Sequence, residues 1–477
     1  MVPVSGVFVA GAGYMLGLAG IARKSIITSL NNQATTNLQE FVKAMSELKD
    51  GQRVPIRFYA LSDINKEKVA VVQIDRRWHE FKMAIRNDLT GLWDYVKLPP
   101  CPGEAVYEPH TSSSIGLDEN LGLARKVVTA LVHVEYHLPF KVDGVCNQVS
   151  NGVGVVVDES KGFVVVDRHA VPTSIGDILL TFANSIIIPG ELVYMHQIYN
   201  FAIIRYDTKL LGATPVTAAP ISALRLHQGD TVTMVCLTKT FHPIIRKTAV
   251  TNVRQFHVSE PVPPTFRGMN VEGIELENPV SHGGVLVDES GDVQALWMAY
   301  SKSSSKGRYE FYMGMSIYFM RTQHPSYSAR GSNTFNRCQN YTGFDIHLII
   351  PVLKSLQINT IPTLRGLEVE LTYAQIAHAR VLGLSDDWVR KIESTHLTRR
   401  NVLIVRRLTS GTEVSQVLKE GDIVLAVDGV PATNYLDVLR HHDREILDLV
   451  RIALHLATMR SRKFIKVRKL TIDRRYF

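Results

Sequence analysis

Three short segments of the 477-residue chain carry side chains that could take part in nucleophilic catalysis. His169 follows the run GFVVVDR, Asn200 precedes the run FAIIR, and His282 stands directly before GGVLVD. An imidazole can act as a general base, and a residue hydrogen-bonded to its second nitrogen fixes its tautomer. The third segment has the glycine pair and the strand that can follow a nucleophile, although an imidazole stands where a hydroxyl would be needed.

Short β-type runs separated by turns extend over residues 127–318, and they must position these three segments. The runs include GVVVDESKGFVVVD, DILLTF, LVYMHQIYNFAIIRYD, DTVTMVCL and GVLVDESGDVQALWMAY. Runs rich in Val, Ile, Tyr and Phe and bounded by Gly, Asp and Asn predict β-strands. Many short strands without long helices are typical of a β-barrel or a β-sandwich.

In their order and surroundings these segments resemble the protease domain of HtrA/Deg-type serine proteases. There, an I-V-T-N-x-H-V-V strand presents the catalytic histidine, a D-L-A-[LVI]-[LI]-K strand begins with the acid, and G-N-S-G-G-P-L carries the serine. The resemblance places His169 at the base, Asn200 at the acid and His282 at the serine. It places Val280 at the first glycine of that loop, so the oxyanion-hole positions are Val280 and His282. It implies a chymotrypsin-like double β-barrel.

The departures from the family pattern predict a protease domain that does not cleave peptides. A neutral Asn200 cannot stabilise an imidazolium, and an Asp-to-Asn change in such a triad costs about four orders of magnitude in turnover. Val280 resists the backbone conformation that glycine permits, and losing one oxyanion donor costs roughly 100- to 1000-fold.

Several alternatives stay open at this point. The chain could be an active endopeptidase with an unorthodox site, in which Ser281 becomes the nucleophile after a one-residue shift of the loop. His169 could instead be a structural histidine. The glycine pair before GVLVD could be a simple hairpin signal.

Residues 25–42 and 422–439 look like two copies of one module. SIITSLNNQATTNLQEFV and DIVLAVDGVPATNYLDVL share an apolar strand, a polar turn and a Thr-Asn pair before a helix. In the first copy, Thr36 and Gln39 have capping-box spacing. Two unrelated strand–turn–helix units are the alternative interpretation.

The second copy resembles the PDZ domain of HtrA/Deg-type proteases, and RGLEVEL at 365–371 resembles the loop and strand that receive a C-terminal carboxylate. The resemblance implies that apolar C-terminal peptides bind by β-augmentation. The residues it assigns to this groove are Gly366 and Leu367 near the carboxylate, and Leu436 and Leu439 on the flanking helix.

The resemblance covers nearly the whole chain and predicts a mainly β fold with α+β PDZ modules. We expect a partial PDZ-like domain at 1–58, a strand-rich connector at 59–114, a degenerate protease domain at 115–357 and a PDZ domain with a basic end at 358–477. The first module begins just before the strand GVFVA and lacks the segment for a carboxylate loop. The layout is similar to the C-terminal half of the large, doubled HtrA-like proteases of fungi and plants, which predicts that the chain is a fragment.

Composition limits the other classes of function. The four cysteines lie far apart without CxxC spacing, which argues against a disulfide framework and a structural zinc site. Two histidines and a neutral asparagine fall short of the three protein ligands of a catalytic zinc, so we expect neither a metal nor a cofactor. The net charge of +8 is spread thinly, and the basic RSRKFIKVRKL end is predicted to be a strand with solvated charges rather than a nucleic-acid site.

The apolar residues 2–22 are predicted to form a strand and a turn rather than a signal peptide or a membrane span. Arg23 and Lys24 follow this run, whereas the charge of a signal peptide precedes it. We therefore expect partners that are C-terminal or unfolded protein segments, or further copies of the chain, and not a membrane. The resemblance implies an intracellular location, the nucleus for the fungal branch or the chloroplast for the plant branch.

Overall fold

The computed structural model describes residues 5–98, 107–112, 122, 124–143, 145, 148–222, 224–238, 240–256, 269–280, 282–301, 339–362, 369–395, 400–427, 430–439, 458–460 and 463–465. The strands are β1 (Val7–Phe8), β2 (Ser25–Leu30), β3 (Gln33–Ala34), β4 (Arg53–Ala60), β5 (Asp63–Gln73), β6 (Lys82–Arg86), β7 (Trp93–Lys97), β8 (Leu131–His137), β9 (Val149–Asp158), β10 (Phe163–Val166), β11 (Asp177–Phe182), β12 (Ile186–Met195), β13 (Ala202–Tyr206), β14 (Thr231–Leu237), β15 (Pro243–Phe256), β16 (Val271–Leu276), β17 (Gly284–Val287), β18 (Val293–Ser301), β19 (Gln339–Asp345), β20 (Val369–Gln375), β21 (Asn401–Leu408), β22 (Ile423–Val424), β23 (Ala426–Val427), β24 (Val430–Pro431), β25 (Thr458–Arg460) and β26 (Lys463–Ile465).

The helices are short. They are α1 (Gly13–Leu18), α2 (Leu38–Glu47), α3 (Arg125–Val128), α4 (Ile350–Gln357), α5 (Ile376–Val381), α6 (Asp386–Thr395), α7 (Glu413–Val417) and α8 (Tyr435–Leu439), with 3-10 turns at Thr208–Leu211 and Ile346–Leu348. Within the described ranges, none of them is long and apolar enough to span a membrane.

Two closed antiparallel barrels form the centre of the molecule. The first has the strand order β10-β13-β12-β11-β8-β9, and the second has the order β14-β15-β16-β19-β18-β17. Alternate residues of each strand point into the barrel. The strands β10 and β17 are buried along their whole length, which matches their continuous apolar runs. Fully buried side chains fill the first barrel, among them Val132, Val134, Val164, Leu180 and Ile204. The predicted fold class, a mainly β chain with a double barrel and PDZ modules, is confirmed.

The N-terminal module packs α1 and α2 on a sheet of order β1-β2-β4-β5, with β3 paired to β2. Its core continues through Val72 and Ile74, so the sheet runs past the predicted boundary at residue 58, which falls inside β4. Asn37 is the N-cap of α2, and its side chain accepts a hydrogen bond from the amide of Glu40. The capping residues therefore lie one position after the predicted pair.

In both copies of the repeated module, the strand aligned by the repeat pairs antiparallel with a strand that precedes it in the chain. In the N-terminal copy Val7 of β1 pairs with Ile27 of β2, and in the C-terminal copy Leu403 of β21 pairs with Val424 of β22. The sequence repeat aligns Ile27 with Val424. These two aligned residues therefore share antiparallel pairing with a preceding strand, while the repeat itself stays a prediction.

The N-terminal module contacts the first barrel at the carboxylate of Asp177 and at the ring of Phe140. Asp177, at the start of β11, accepts hydrogen bonds from the hydroxyl of Tyr14, the guanidinium of Arg77 (2.9 Å) and the indole of Trp78 (3.1 Å). The Trp78 ring also packs edge-on against Phe140, with centroids 5.9 Å apart. Burial, reinforced by the hydrogen bond to Asp177, raises the pKa of Tyr14 far above its ordinary value.

The C-terminal module has a sheet of order β20-β21-β22, flanked by α5 to α8. Leu436 and Leu439 lie on α8, as the sequence predicts, and their side chains are outside the described part. Gly366 and Leu367 also lie outside the described residues. Their assignment to a peptide groove stays a prediction.

Candidate functional site

His169 lies in a turn directly after β10, rather than on a strand. The turn is held by Asp167, whose carboxylate accepts a hydrogen bond from the amide of Ala170 (2.8 Å). A Cβ atom on Gly152 of β9 would come within 2.5 Å of the Ala170 Cβ, so only glycine allows this turn to lie so close to the strand. The half-buried His169 ring is thereby fixed against the first barrel.

The structure brings His169 and Asn200 into direct contact. His169 Nδ1–H donates to Asn200 Oδ1 over 3.1 Å, and Asn200 is only 2% exposed. An amide oxygen can only accept, so in this contact the proton is on Nδ1 and the lone pair is on Nε2. This is the tautomer that a general base needs, but its supporting group is neutral.

The loop that carries Asn200 is organised around His196, which the sequence reasoning missed. His196 Nδ1 accepts hydrogen bonds from the amides of Ile198 (3.1 Å) and Tyr199 (3.0 Å). Its ring packs against Phe201 with centroids 4.8 Å apart. A buried ring that accepts two amides at one nitrogen fixes the loop, and with it the position of Asn200.

Burial, with a smaller contribution from the charge of Arg168, lowers the pKa of His196 to about 3. The Arg168 guanidinium is itself buried and donates to the His196 carbonyl over 2.6 Å. Burial lowers the pKa of Arg168 to about 10. The turn of His169 and the loop of Asn200 are thus joined by a second polar contact. An aromatic-rich run such as YMHQIYNF does not reveal these contacts from its pattern alone.

The loop of the second barrel that precedes β17 contains the glycine pair. A Cβ on Gly284 would lie 2.1 Å from the Val235 carbonyl oxygen, and one on Gly283 would lie 3.1 Å from the Val153 Cβ. Gly284 is therefore required by close packing, whatever the loop does chemically, and Gly283 packs tightly against β9. His282 Nδ1 is buried and has no hydrogen-bond partner within the described part of the chain.

Val280 is buried at the start of this loop, and its carbonyl accepts a hydrogen bond from the indole of Trp297 (2.8 Å). It is not among the described residues with a positive φ angle. The backbone here therefore lacks the left-handed conformation that glycine could supply at the predicted oxyanion position.

The predicted nucleophile loop and the predicted base approach the same stretch of β9. Gly283 packs against Val153, while the adjacent Gly152 packs against Ala170, the neighbour of His169. The separation of His169 and His282 stays a prediction. Ser281 lies outside the described residues. The described part of the chain contains no cluster of three or more potential metal ligands.

Relatives of the chain are serine proteases. The pro-apoptotic serine protease nma111 of Aspergillus fumigatus is 32% identical over 454 residues, which make up 93% of this chain and 41% of the relative. The pro-apoptotic serine protease NMA111 of Phaeosphaeria nodorum is 30% identical over 472 residues, 97% of this chain and 43% of the relative. The chain is homologous to these HtrA-like serine proteases over almost its whole length. It spans about two fifths of the length of these relatives.

A domain family and a solved structure give further similarities. The PDZ-like domain family matches residues 1–51, which confirms a PDZ-like module at the N-terminal end. The solved structure of the HtrA-type protease AlgW with a tripeptide aligns with 72% of this chain and 93% of its own, at 14% identity and a TM-score of 0.44.

Proposed function

We propose that this chain is a non-catalytic half of a large HtrA-like serine protease, and that it serves substrate recognition, assembly or regulation through its PDZ-like modules. The observation that carries the proposal is the hydrogen bond from His169 to Asn200. Because Asn200 is almost completely buried, its neutral amide fills the position from which an acid would support the imidazolium.

The second reason is the residue at the nucleophile position. His282 offers an imidazole where a hydroxyl would have to attack a carbonyl carbon. In the described part of the loop, no neighbouring group is placed to stabilise an acyl intermediate on this imidazole. Val280 adds a third defect, since a valine without a positive φ occupies the first glycine position of the oxyanion loop. Each defect alone would reduce turnover strongly.

The proposed role in recognition follows from the modules at both ends. PDZ-like modules bind extended or C-terminal peptide segments by adding a strand to a sheet edge. The chain covers only part of the length of its relatives. In our proposal the catalytic activity belongs to the portion of the full-length protein that this chain does not span, and this half contributes to protein quality control.

An activity experiment separates this proposal from an active endopeptidase with an unorthodox site. The full chain is incubated with unfolded casein and, in parallel, with a fluorophosphonate probe that labels activated serines. We expect neither cleavage nor labelling. Cleavage with labelling that disappears in Ser281→Ala, but persists in a matched Ser160→Ala variant, would establish the endopeptidase and identify its nucleophile.

A further inference from the structure

Strand β20 lies at one end of the three-stranded sheet of the C-terminal module, so one of its edges faces away from β21. In an extended strand, the carbonyl of residue i and the amide of residue i+2 point to the same edge. A peptide that augments the sheet would have to pair with these groups. The proposed peptide-binding role, on which this proposal rests, depends on what occupies this edge.

Two side chains of the second barrel form hydrogen bonds with the backbone of β20. Asn270, just before β16, donates from Nδ2 to the Val369 carbonyl (2.9 Å) and accepts at Oδ1 from the Leu371 amide (2.8 Å). One side-chain amide therefore bonds to the carbonyl of Val369 and to the amide of Leu371, two positions later. That is the bonding pattern of a neighbouring strand.

Gln255 repeats this arrangement two residues further along. Its Nε2 donates to the Leu371 carbonyl (3.1 Å), and its Oε1 accepts from the Tyr373 amide (3.3 Å). Oε1 also accepts from the hydroxyl of Thr372 (2.9 Å). Gln255 lies on β15, directly opposite Glu272 of β16. The β15–β16 ribbon of the second barrel thus presents two amides at the spacing of the free β20 edge.

Two tyrosines close the space between β20 and the flanking helix α8. The rings of Tyr373 and Tyr435 stack with centroids 4.7 Å apart, and Tyr435 is only 1% exposed. The Tyr435 hydroxyl donates to the Leu371 carbonyl (3.0 Å), and the Tyr373 hydroxyl donates to Glu272 of the barrel. The position where a peptide would lie is therefore linked to the barrel as well.

We propose that the second barrel acts as an internal ligand of the C-terminal module, with the amides of Asn270 and Gln255 in the place of a peptide backbone. An extended peptide and the barrel then compete for the same edge of β20. The module binds a peptide only after it separates from the β15–β16 ribbon, so the groove is self-occupied in the docked state.

The test uses the full chain with Asn270→Ala and Gln255→Ala combined, and Asn252→Ala on the same strand as the matched control. Hydrogen exchange followed by mass spectrometry reports on residues 369–375, and a fluorescent decapeptide with an apolar, free C-terminus reports on binding. We expect the β20 amides of the double variant to exchange at least about tenfold faster, and the peptide to bind at least about fivefold more tightly. Unchanged exchange in β21 would show that the module remains folded.

Two results would overturn the inference. The first is β20 exchange that is the same in the double variant and the wild type. The second is faster exchange with equal peptide affinity in both forms, because the amides would then not exclude the peptide. Faster exchange with no peptide binding in either form upholds the internal contact and contradicts the peptide-binding part of the proposed function instead.

Discussion

His196 makes the stability of the first barrel depend on pH, and its burial gives the size of the effect. The pKa of this ring is about 3 in the folded chain and 6.5 for an ordinary histidine. Between these values the unfolded chain binds one proton more than the folded chain, so the free energy of unfolding falls as the pH falls below 6.5. At pH 5 the loss is about 2 kcal/mol, since each pH unit contributes about 1.4 kcal/mol.

The substitution His196→Gln should remove this dependence, because glutamine can accept the amides of Ile198 and Tyr199 but does not titrate. Native-state hydrogen exchange of peptides from β10 and β13, corrected for intrinsic rates at pH 7 and pH 5, measures the unfolding free energy of this barrel. We expect the wild type to lose about 2 kcal/mol more than the variant between the two pH values. His378→Gln, at an exposed position on α5, should keep the wild-type slope.

Equal slopes for the wild type and His196→Gln would refute the reasoning. They would mean that the ring can take up a proton in the folded chain, which is incompatible with two amides donating to Nδ1. The organisation of the Asn200 loop around a neutral imidazole would then have to be abandoned.

Three further predictions concern the site and the packing. Combining Asn200→Asp with His282→Ser should give casein cleavage at least 100-fold below that of an intact serine protease, because the loop still lacks its first glycine; full activity would show that the oxyanion argument is wrong. Asp177→Ala should weaken docking of the N-terminal module by about 2–4 kcal/mol through loss of charge-assisted hydrogen bonds, measured as faster limited proteolysis between the module and the barrel; Asp63→Ala, at a half-exposed position on β5, should have little effect. Gly284→Ala should lower the free energy of unfolding of the second barrel, measured by urea denaturation, by about 1–3 kcal/mol or more, or prevent folding, because its Cβ would overlap a β14 carbonyl; a free energy of unfolding within error of the wild type would contradict the packing described for this strand.

The sequence predicts the barrels well, because short runs rich in β-branched and aromatic residues, bounded by turn residues, favour strands locally. Runs such as DILLTF and TVTMVCL become strands whose inward positions are buried. The turn position of His169 and the contact with Asn200 depend on how strands distant in the chain meet. The sequence analysis selected His169 and Asn200 through the family resemblance and not through periodicity.

Local signals were less exact where helices begin and where tertiary contacts decide. The N-cap of α2 is Asn37, although Thr36 has the same chemistry, since the choice depends on backbone angles. Residues 2–22 contain the helix α1 besides the predicted strand. The sequence did not predict this helix, because five glycines obscure its pattern. The roles of His196, Asn270 and Gln255 rest on partners far away in sequence. Nothing in their own segments marks them.

The hydrogen bonds of Asn270 and Gln255 to the edge of β20 also affect the tendency of the C-terminal module to aggregate. A free strand edge offers a row of amides and carbonyls on which other chains can pair, and natural proteins protect such edges in several ways. Here the protection is supplied by another domain, through Asn270 and Gln255, so it lasts only while the two are docked. A C-terminal module produced without the second barrel should therefore self-associate through the edge of β20. Its solubility would then depend on a bound peptide that pairs with this edge.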